Sequence, residues 1–299
     1  MRTVSISRLA LFAVVSAGLA ATAVAGVRAQ AGLRERTVFV SAVDSRGNPV
    51  EGLGPADFAV TEDGRPREVL RVTPALESID IALLIDNSAA ANRTIAPTRT
   101  AVRAFVAQMA VGNQIAIIGL ADRPTILVDF TSSSERLEQG VGRLFAMSGS
   151  GMTLLDSIVE TSNGMRKRDA PRAVIVPVVT TGAEFTNRYA RDVTTALKAS
   201  GAALHAIVVG NLPMGSTEER ERALAVSQGS RDTGGQHVTL LAETAIEQAL
   251  QKLARELASQ YKVVYGRPES LIPPEKIVVD SKREGVTMRG TPARGQPGA

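Results

Sequence analysis

Three short segments carry the side chains that could do chemistry. LLIDNSAAA places Asp86 and Ser88, with Asn87 between them, directly after a continuous apolar run. SGSGMTLLDSI places Gly151 and Thr153 ahead of a helical pattern. VVTTGAEF places Thr180 and Thr181 after a second apolar run, with Glu184 shortly beyond. In open α/β sheets, ligands bind where the strands end and their loops splay. One carboxylate and two hydroxyls in such a crevice could hold a hard cation such as Mg2+, which takes few protein ligands and keeps waters. The same residues also have a structural reading. Asp86 can satisfy backbone donors at a strand exit, and Thr153 with Asp156 fits an N-terminal helix capping pattern.

Other chemistries have less support. Gly149 and Gly151 resemble a phosphate-cradling loop, but no G-x-x-x-x-G-K-[ST] is present. Ser88 stands in no G-x-S-x-G elbow. The two histidines, His205 in ALHAIVVG and His237 near GGQHVTL, read as a strand histidine with a satisfied ring and an edge residue. A hydrolase using Ser88 or Thr153 is therefore the weakest function class. Cysteine is absent, which excludes disulfides, thiolate metal sites and cysteine nucleophiles. Tryptophan is absent and aromatics are 3%, which argues against a base-stacking nucleic-acid surface. The basic runs at 165–172 and 188–191 read as solvated helix ends, where cations favour a helix C-terminus.

The elements that must position the crevice alternate between strand and helix. IDIALLI, AVIVPVVT and ALHAIVVG are apolar throughout, as expected of strands buried on both faces. Pro177 within the second run predicts a bulge or a weakly paired position. Between them, Val102, Phe105, Val106 and Met109 share one helical face, and Ser134 is a plausible cap for the helix after it. This pattern over 79–257 predicts an α/β domain with a doubly wound, mostly parallel sheet. The flanks differ. TVFVSAV, FAVTED and REVLRV, with a hairpin signal at Asp63-Gly64, predict antiparallel strands over 36–78. YKVVY, EKIVV and GVTMR predict strands over 258–291 that join them, giving a small antiparallel β unit built from both chain ends. Residues 292–299 read as a disordered tail.

Arg2 and Arg8 precede an uncharged run over 9–27 that ends in small residues. This predicts a secretory signal peptide over 1–29, with A-V-A before Gly26 and V-R-A before Gln30 as processing sites. The protein is then exported, periplasmic or secreted, and contacts a membrane only if that segment stays uncleaved. The formal charge is +4. Cleavage after Ala29 removes three arginines and no acid, leaving +1, so the basic balance is no argument for an anionic partner.

The same segments carry a resemblance. LLIDNSAAA, a G-x-T loop before a helix, and an apolar strand ending in TTG resemble a von Willebrand factor type A domain over about 180 residues. The preceding VDSRGNPVEGLGPADFAVTEDGRPREV and the tail from Tyr261 to Arg289 resemble the flanks of an exported type common in Acidobacteria. The resemblance implies recognition of a protein partner at a metal-ion-dependent adhesion site of pattern D-x-S-x-S, a distant Thr and an Asp. Asp86, Ser88 and Thr153 match it, as ligands for Mg2+ or Mn2+. Ala90 stands where the second Ser belongs, and Thr181 stands near the place of the Asp. Glu184 is not at the matching position, but it or a carboxylate of the partner could complete the site. Asn87, Ala90, Gly151, Thr181 and Glu184 are then the binding residues around a degenerate site, and no catalysis is implied. The altered site also suits a structural subunit of an envelope assembly, with no metal.

Overall fold

The structure is a computed structural model that describes residues 33–168, 170–269, 272, 274 and 276–293. The expected signal peptide lies outside the described residues, as does the tail beyond 293. The chain opens with β1 (Leu33–Val43), β2 (Phe58–Glu62), β3 (Arg65–Arg67) and β4 (Val69–Pro74). It continues with β5 (Ile79–Ile85), α1 (Ile95–Met109), β6 (Gln114–Gly119), β7 (Thr125–Thr131), α2 (Ser134–Gly142), α3 (Leu154–Arg166) and β8 (Arg172–Val179). Then come α4 (Ala190–Ser200), β9 (Ala202–Leu204), β10 (Ala206–Val209), α5 (Thr217–Asp232), β11 (His237–Leu240) and α6 (Ile246–Ala258). The strands β12 (Tyr261–Pro268), β13 (Ile277–Ser281) and β14 (Thr287–Pro292) close it.

A seven-stranded sheet in the order β11-β10-β8-β5-β6-β7 forms the centre, with β9 paired to the first half of β8. Its pairings are parallel except β6 with β7. Every residue of β5 and β8 is buried, because helices cover both faces. The alternation of strand side chains sorts them: Ile81, Leu83 and Ile85 pack under α1, α2 and α6. Ala82 and Leu84 face the opposite layer of α3, α4 and α5. The α1 stripe Val102, Phe105, Val106 and Met109 is buried as its spacing requires.

Two local expectations change. Ser133, not Ser134, caps α2, its hydroxyl accepting the Arg136 N–H at 3.3 Å. Pro177 causes no bulge and pairs in register with Leu84. The Val178 carbonyl accepts the Asp86 N–H at 3.0 Å on the β5 side, so the Pro177 nitrogen faces the other neighbour. There β9 has ended at Leu204 and β10 begins at Ala206, so the missing donor falls opposite a break in the ladder at His205.

The chain ends form a β-sandwich. One sheet has the order β14-β1-β12-β4 and the other β13-β2-β3. Val38, Val40, Phe58, Val60, Val263 and Val279 fill the space between them. Glu62 pairs with Arg65, so β2 and β3 join through Asp63-Gly64, at φ 47° and 76°. Both positive values belong to a type I′ hairpin turn, which Asp-Gly accepts at little cost. The strand β14 runs one residue past 291, to Pro292, and Ala293 is buried.

Arg172 holds sandwich and domain together, so the basic run it ends is not simply a solvated helix end. Its guanidinium donates to the Glu77 carbonyl at 2.9 Å, the Leu257 carbonyl at 2.7 Å and Gln260 Oε1 at 2.6 Å. Gln260 Nε2 in turn donates to Ser41 Oγ at 2.9 Å. Burial lowers Arg172 to about 10, which leaves it charged at neutral pH. Arg168 of the same run pairs with Asp80 at 2.6 Å and lies over the Phe130 ring. Among the described residues no helix is long and apolar enough to cross a membrane.

Candidate functional site

The carboxyl ends of β5, β6 and β8 open into one crevice. Asp86, at the exit of β5, is 3% exposed and fully engaged by neighbouring donors. Its Oδ1 accepts the Ser88 N–H at 2.9 Å. Its Oδ2 accepts the Thr180 N–H at 3.1 Å and the Thr180 hydroxyl at 2.5 Å. Asn87 works as a latch between loops. Its Oδ1 accepts the N–H groups of Leu120 and Ala121 at 2.8 and 2.9 Å, and its carbonyl accepts the Met147 N–H at 2.8 Å. Asn87→Ala therefore strands the buried Ala121 N–H and leaves the Leu120 N–H only the Ile85 carbonyl, and is expected to lower stability by about 1–3 kcal/mol in urea unfolding. An unchanged midpoint would remove this role.

The loops themselves are zipped by backbone pairing. Isolated bridges join Ala121 to Met152 and Met152 to Glu184. The Met152 N–H donates to the Ala183 carbonyl at 3.0 Å, and the Phe185 N–H to the Met152 carbonyl at 2.7 Å. Gly151 lies against Phe185: a Cβ on it would stand 2.3 Å from the ring, so a larger residue here would displace that side chain.

The structure brings Asp86, Ser88 and Thr180 together, and sets Ala90 against Gly182. Thr153 is buried beside them, but its hydroxyl donates to the Leu120 carbonyl at 2.9 Å rather than capping α3. Asp156 also serves elsewhere, accepting the Thr186 hydroxyl at 2.7 Å and pairing with Arg188 at 3.0 Å. Glu184 takes over the helix N-terminus, its Oε1 accepting the Leu155 N–H at 3.2 Å. Burial pushes the Glu184 carboxyl up to about 8, against the pull of that N–H and of Arg222. Thr181 is exposed and its methyl group lies toward Gly210.

The sequence names one participant without its role and leaves another inconspicuous. Thr180 stands beside Thr181 as a loop hydroxyl, and its bond to Asp86 spans 94 positions. Arg222 lies on α5 and is 0% exposed. Its Nη1 donates to the Gly182 carbonyl at 2.5 Å and lies 3.9 Å from Glu184 Oε2. A signal for it existed: Arg222, Ala225, Val226 and Gly229 stand at i, i+3, i+4 and i+7, so the arginine occupies the buried stripe of its helix.

The structure is a three-layer α/β domain whose parallel strand ends converge on an Asp-x-Ser loop, an architecture that by itself names no one chemistry. Residues 81–184 match the family model of the von Willebrand factor type A domain. Domains of this family typically mediate protein–protein interactions. Proximal thread matrix protein 1 from the mussel byssus is similar in structure, at 14% identity and TM-score 0.51, over 71% of this chain and 50% of that one. The chain thus spans half the length of that protein, and the likeness is one of fold. The vWF domain of the type V pili tip protein Mfa5 from Porphyromonas gingivalis matches at 13% identity and TM-score 0.48, over 60% of this chain and 95% of that one. A von Willebrand factor type A protein from Catenulispora acidiphila matches at 11% identity and TM-score 0.49, over 88% and 73%. No curated protein sequence matches the chain.

Domains of this family can hold Mg2+ or Mn2+ at their adhesion site. As arranged here, the residues do not fit such an ion. Ser88 Oγ is buried without a hydrogen-bond partner and could ligate. Against it, Asp86 already accepts three hydrogen bonds, Ala90 supplies no oxygen, and Thr181 points away. Among the described residues, no three His, Cys, Asp or Glu gather to hold a metal. A guanidinium also lies behind the Gly182 turn, where it would repel a divalent ion.

Proposed function

We propose that this protein is an exported interaction protein that binds a protein partner through the loops at the carboxyl ends of its sheet. The observation that carries this reading is apolar exposure on a backbone-zipped rim. Phe145 is 61% exposed, Phe185 56%, and Met147 and Tyr189 stand on the same loops. Large side chains left in water at one end of a rigid domain are characteristic of an interface core. An open depression of about 580 Å3 beside them is lined by Asp156, Phe185, Thr186, Asn187 and Arg188, which adds charges of both signs for specificity. Export rests on the segment 1–29.

The reading is non-enzymatic. His205 is buried in the sheet and His237 is exposed on its edge strand, so neither serves as a base for the unpartnered Ser88 hydroxyl. The internally satisfied Asp86 also suits a structural subunit of an envelope assembly, in which these loops seat against a neighbouring subunit.

A photo-crosslinking residue at position 185 tests recognition, with position 111, in the α1–β6 turn at the amino ends of the strands, as control. Val111 is 86% exposed, so access is equal or better there. One defined protein captured at 185 and not at 111 is expected. Phe145→Ser with Phe185→Ser should then weaken that complex by about 30-fold or more, as aromatic anchors at interfaces do. Capture that does not depend on position would sink the reading. The mature N-terminus is expected at Gln30 or Gly26, and a secreted chain that still begins at Met1 would count against cleavage.

A further inference from the structure

We propose that the Arg222 guanidinium is the resident cation of the crevice, holding the Asp86 and Glu184 loops together in the place where related domains can use a divalent ion. The inference goes beyond partner recognition and stands whether or not a protein binds there. It begins with the cost of the arginine. Arg222 is 0% exposed on the apolar stripe of α5, where a Met or Leu would bury at no electrostatic cost. Its Nε and Nη2 have no hydrogen-bond partner, so the helix gains little from the side chain as a packing group.

What the guanidinium gains is charge complementarity. It is 3.9 Å from Glu184 Oε2; burial lowers its pKa, and Glu184, Glu219 and Asp86 oppose that shift. Its bond to the Gly182 carbonyl fixes the turn after β8. That turn is wedged into the crevice. A Cβ on Gly182 would lie 2.6 Å from Ala90 Cβ, 3.4 Å from Ser88 Oγ and 3.6 Å from Thr180 Oγ1. The backbone of Gly182 therefore fills the space between the Ser88 and Ala90 side chains, and the arginine anchors it from behind. The missing oxygens at 90 and 181 follow from the same arrangement. A charge supplied from the protein interior needs no ligand shell open to solvent.

The test uses the full chain, with Mn2+ as probe and thermal unfolding and calorimetry as readouts. Wild type is expected to melt within about 1 °C in EDTA and in millimolar Mn2+, with no saturable heat. Arg222→Met is expected to melt roughly 10 °C lower, because the buried Asp86 carboxylate loses a compensating charge and the Gly182 carbonyl loses its donor. Arg222→Lys, which keeps the charge, should recover at least half of that loss. Saturable Mn2+ binding by wild type that is lost in Ser88→Ala would overturn the proposal. So would equal destabilisation by Met and Lys, including failure of both to fold, because charge would then not be what the site requires. Arg222→Met melting with wild type would overturn it as well.

Discussion

Asp86→Ala is expected to lower stability by about 3–5 kcal/mol, the largest effect of any single substitution at the crevice. The reason lies in what the carboxylate holds. Removing it strands the Ser88 N–H, the Thr180 N–H and the Thr180 hydroxyl, all buried. Each stranded donor costs on the order of 1–3 kcal/mol, less whatever water recovers. The Arg222 guanidinium loses one of its compensating charges at the same time. Asp86→Asn keeps one acceptor oxygen without the charge and should cost roughly half as much. Urea unfolding at neutral pH measures both. A loss under about 1 kcal/mol for the alanine variant would show that Asp86 is held for a ligand rather than for the fold.

Acid is expected to destabilise the protein through His205, by about 3 kcal/mol between pH 6.5 and pH 4. The ring is 1% exposed, and neither nitrogen has a hydrogen-bond partner. The expected satisfied strand histidine is thus buried but unsatisfied. Burial lowers its pKa from 6.5 to about 4, with Glu256 opposing and Arg289 assisting. Between those values the unfolded chain binds a proton that the folded chain refuses, so stability rises with pH across that window. The difference of about 2.5 units corresponds to roughly 3 kcal/mol, at about 1.4 kcal/mol per unit. Above pH 6.5 the contribution is flat.

Glu184 acts in the opposite sense. Its folded pKa of about 8 lies above the ordinary 4.5, so stability falls as pH rises from 4.5 towards 8. The two slopes overlap, and subtraction separates them. His205→Leu removes the acid-side loss while leaving the Glu184 slope in place. It also removes two buried nitrogens that find no partner, so the variant should equal or exceed wild type at pH 7.5. Unfolding free energies at pH 4.5 and 7.5 for both chains decide the matter. An identical pH dependence in the two would show that His205 does not titrate across its folding transition.

Much of the fold is legible without coordinates because its signals are local. IDIALLI and RAVIVPVV must be buried on both faces, since neither run offers a polar face to water. Asp63-Gly64 dictates a tight hairpin because both positions accept positive φ. Asp86, Ser88 and Thr153 can be picked out because a carboxylate and hydroxyls at strand exits are chemically conspicuous. Their partners cannot be. Whether Asp86 faces an ion, a backbone turn or Thr180 depends on how two strands 94 positions apart are set beside each other.

The tertiary structure alone decided the remainder. It turned Thr153 towards Leu120, gave the start of α3 to Glu184, and put Arg222 behind the Gly182 turn. It also paired β1 with β12 and β14, closing the sandwich from opposite ends of the chain. The physical reason is common to all of these. Apolar periodicity and turn chemistry are set by neighbours in the chain, so the sequence determined the elements and the candidate side chains by itself. Hydrogen-bond and charge partners are set by distances of a few ångströms across the fold, and those exist only once the sheet, its two helical layers and the sandwich have packed.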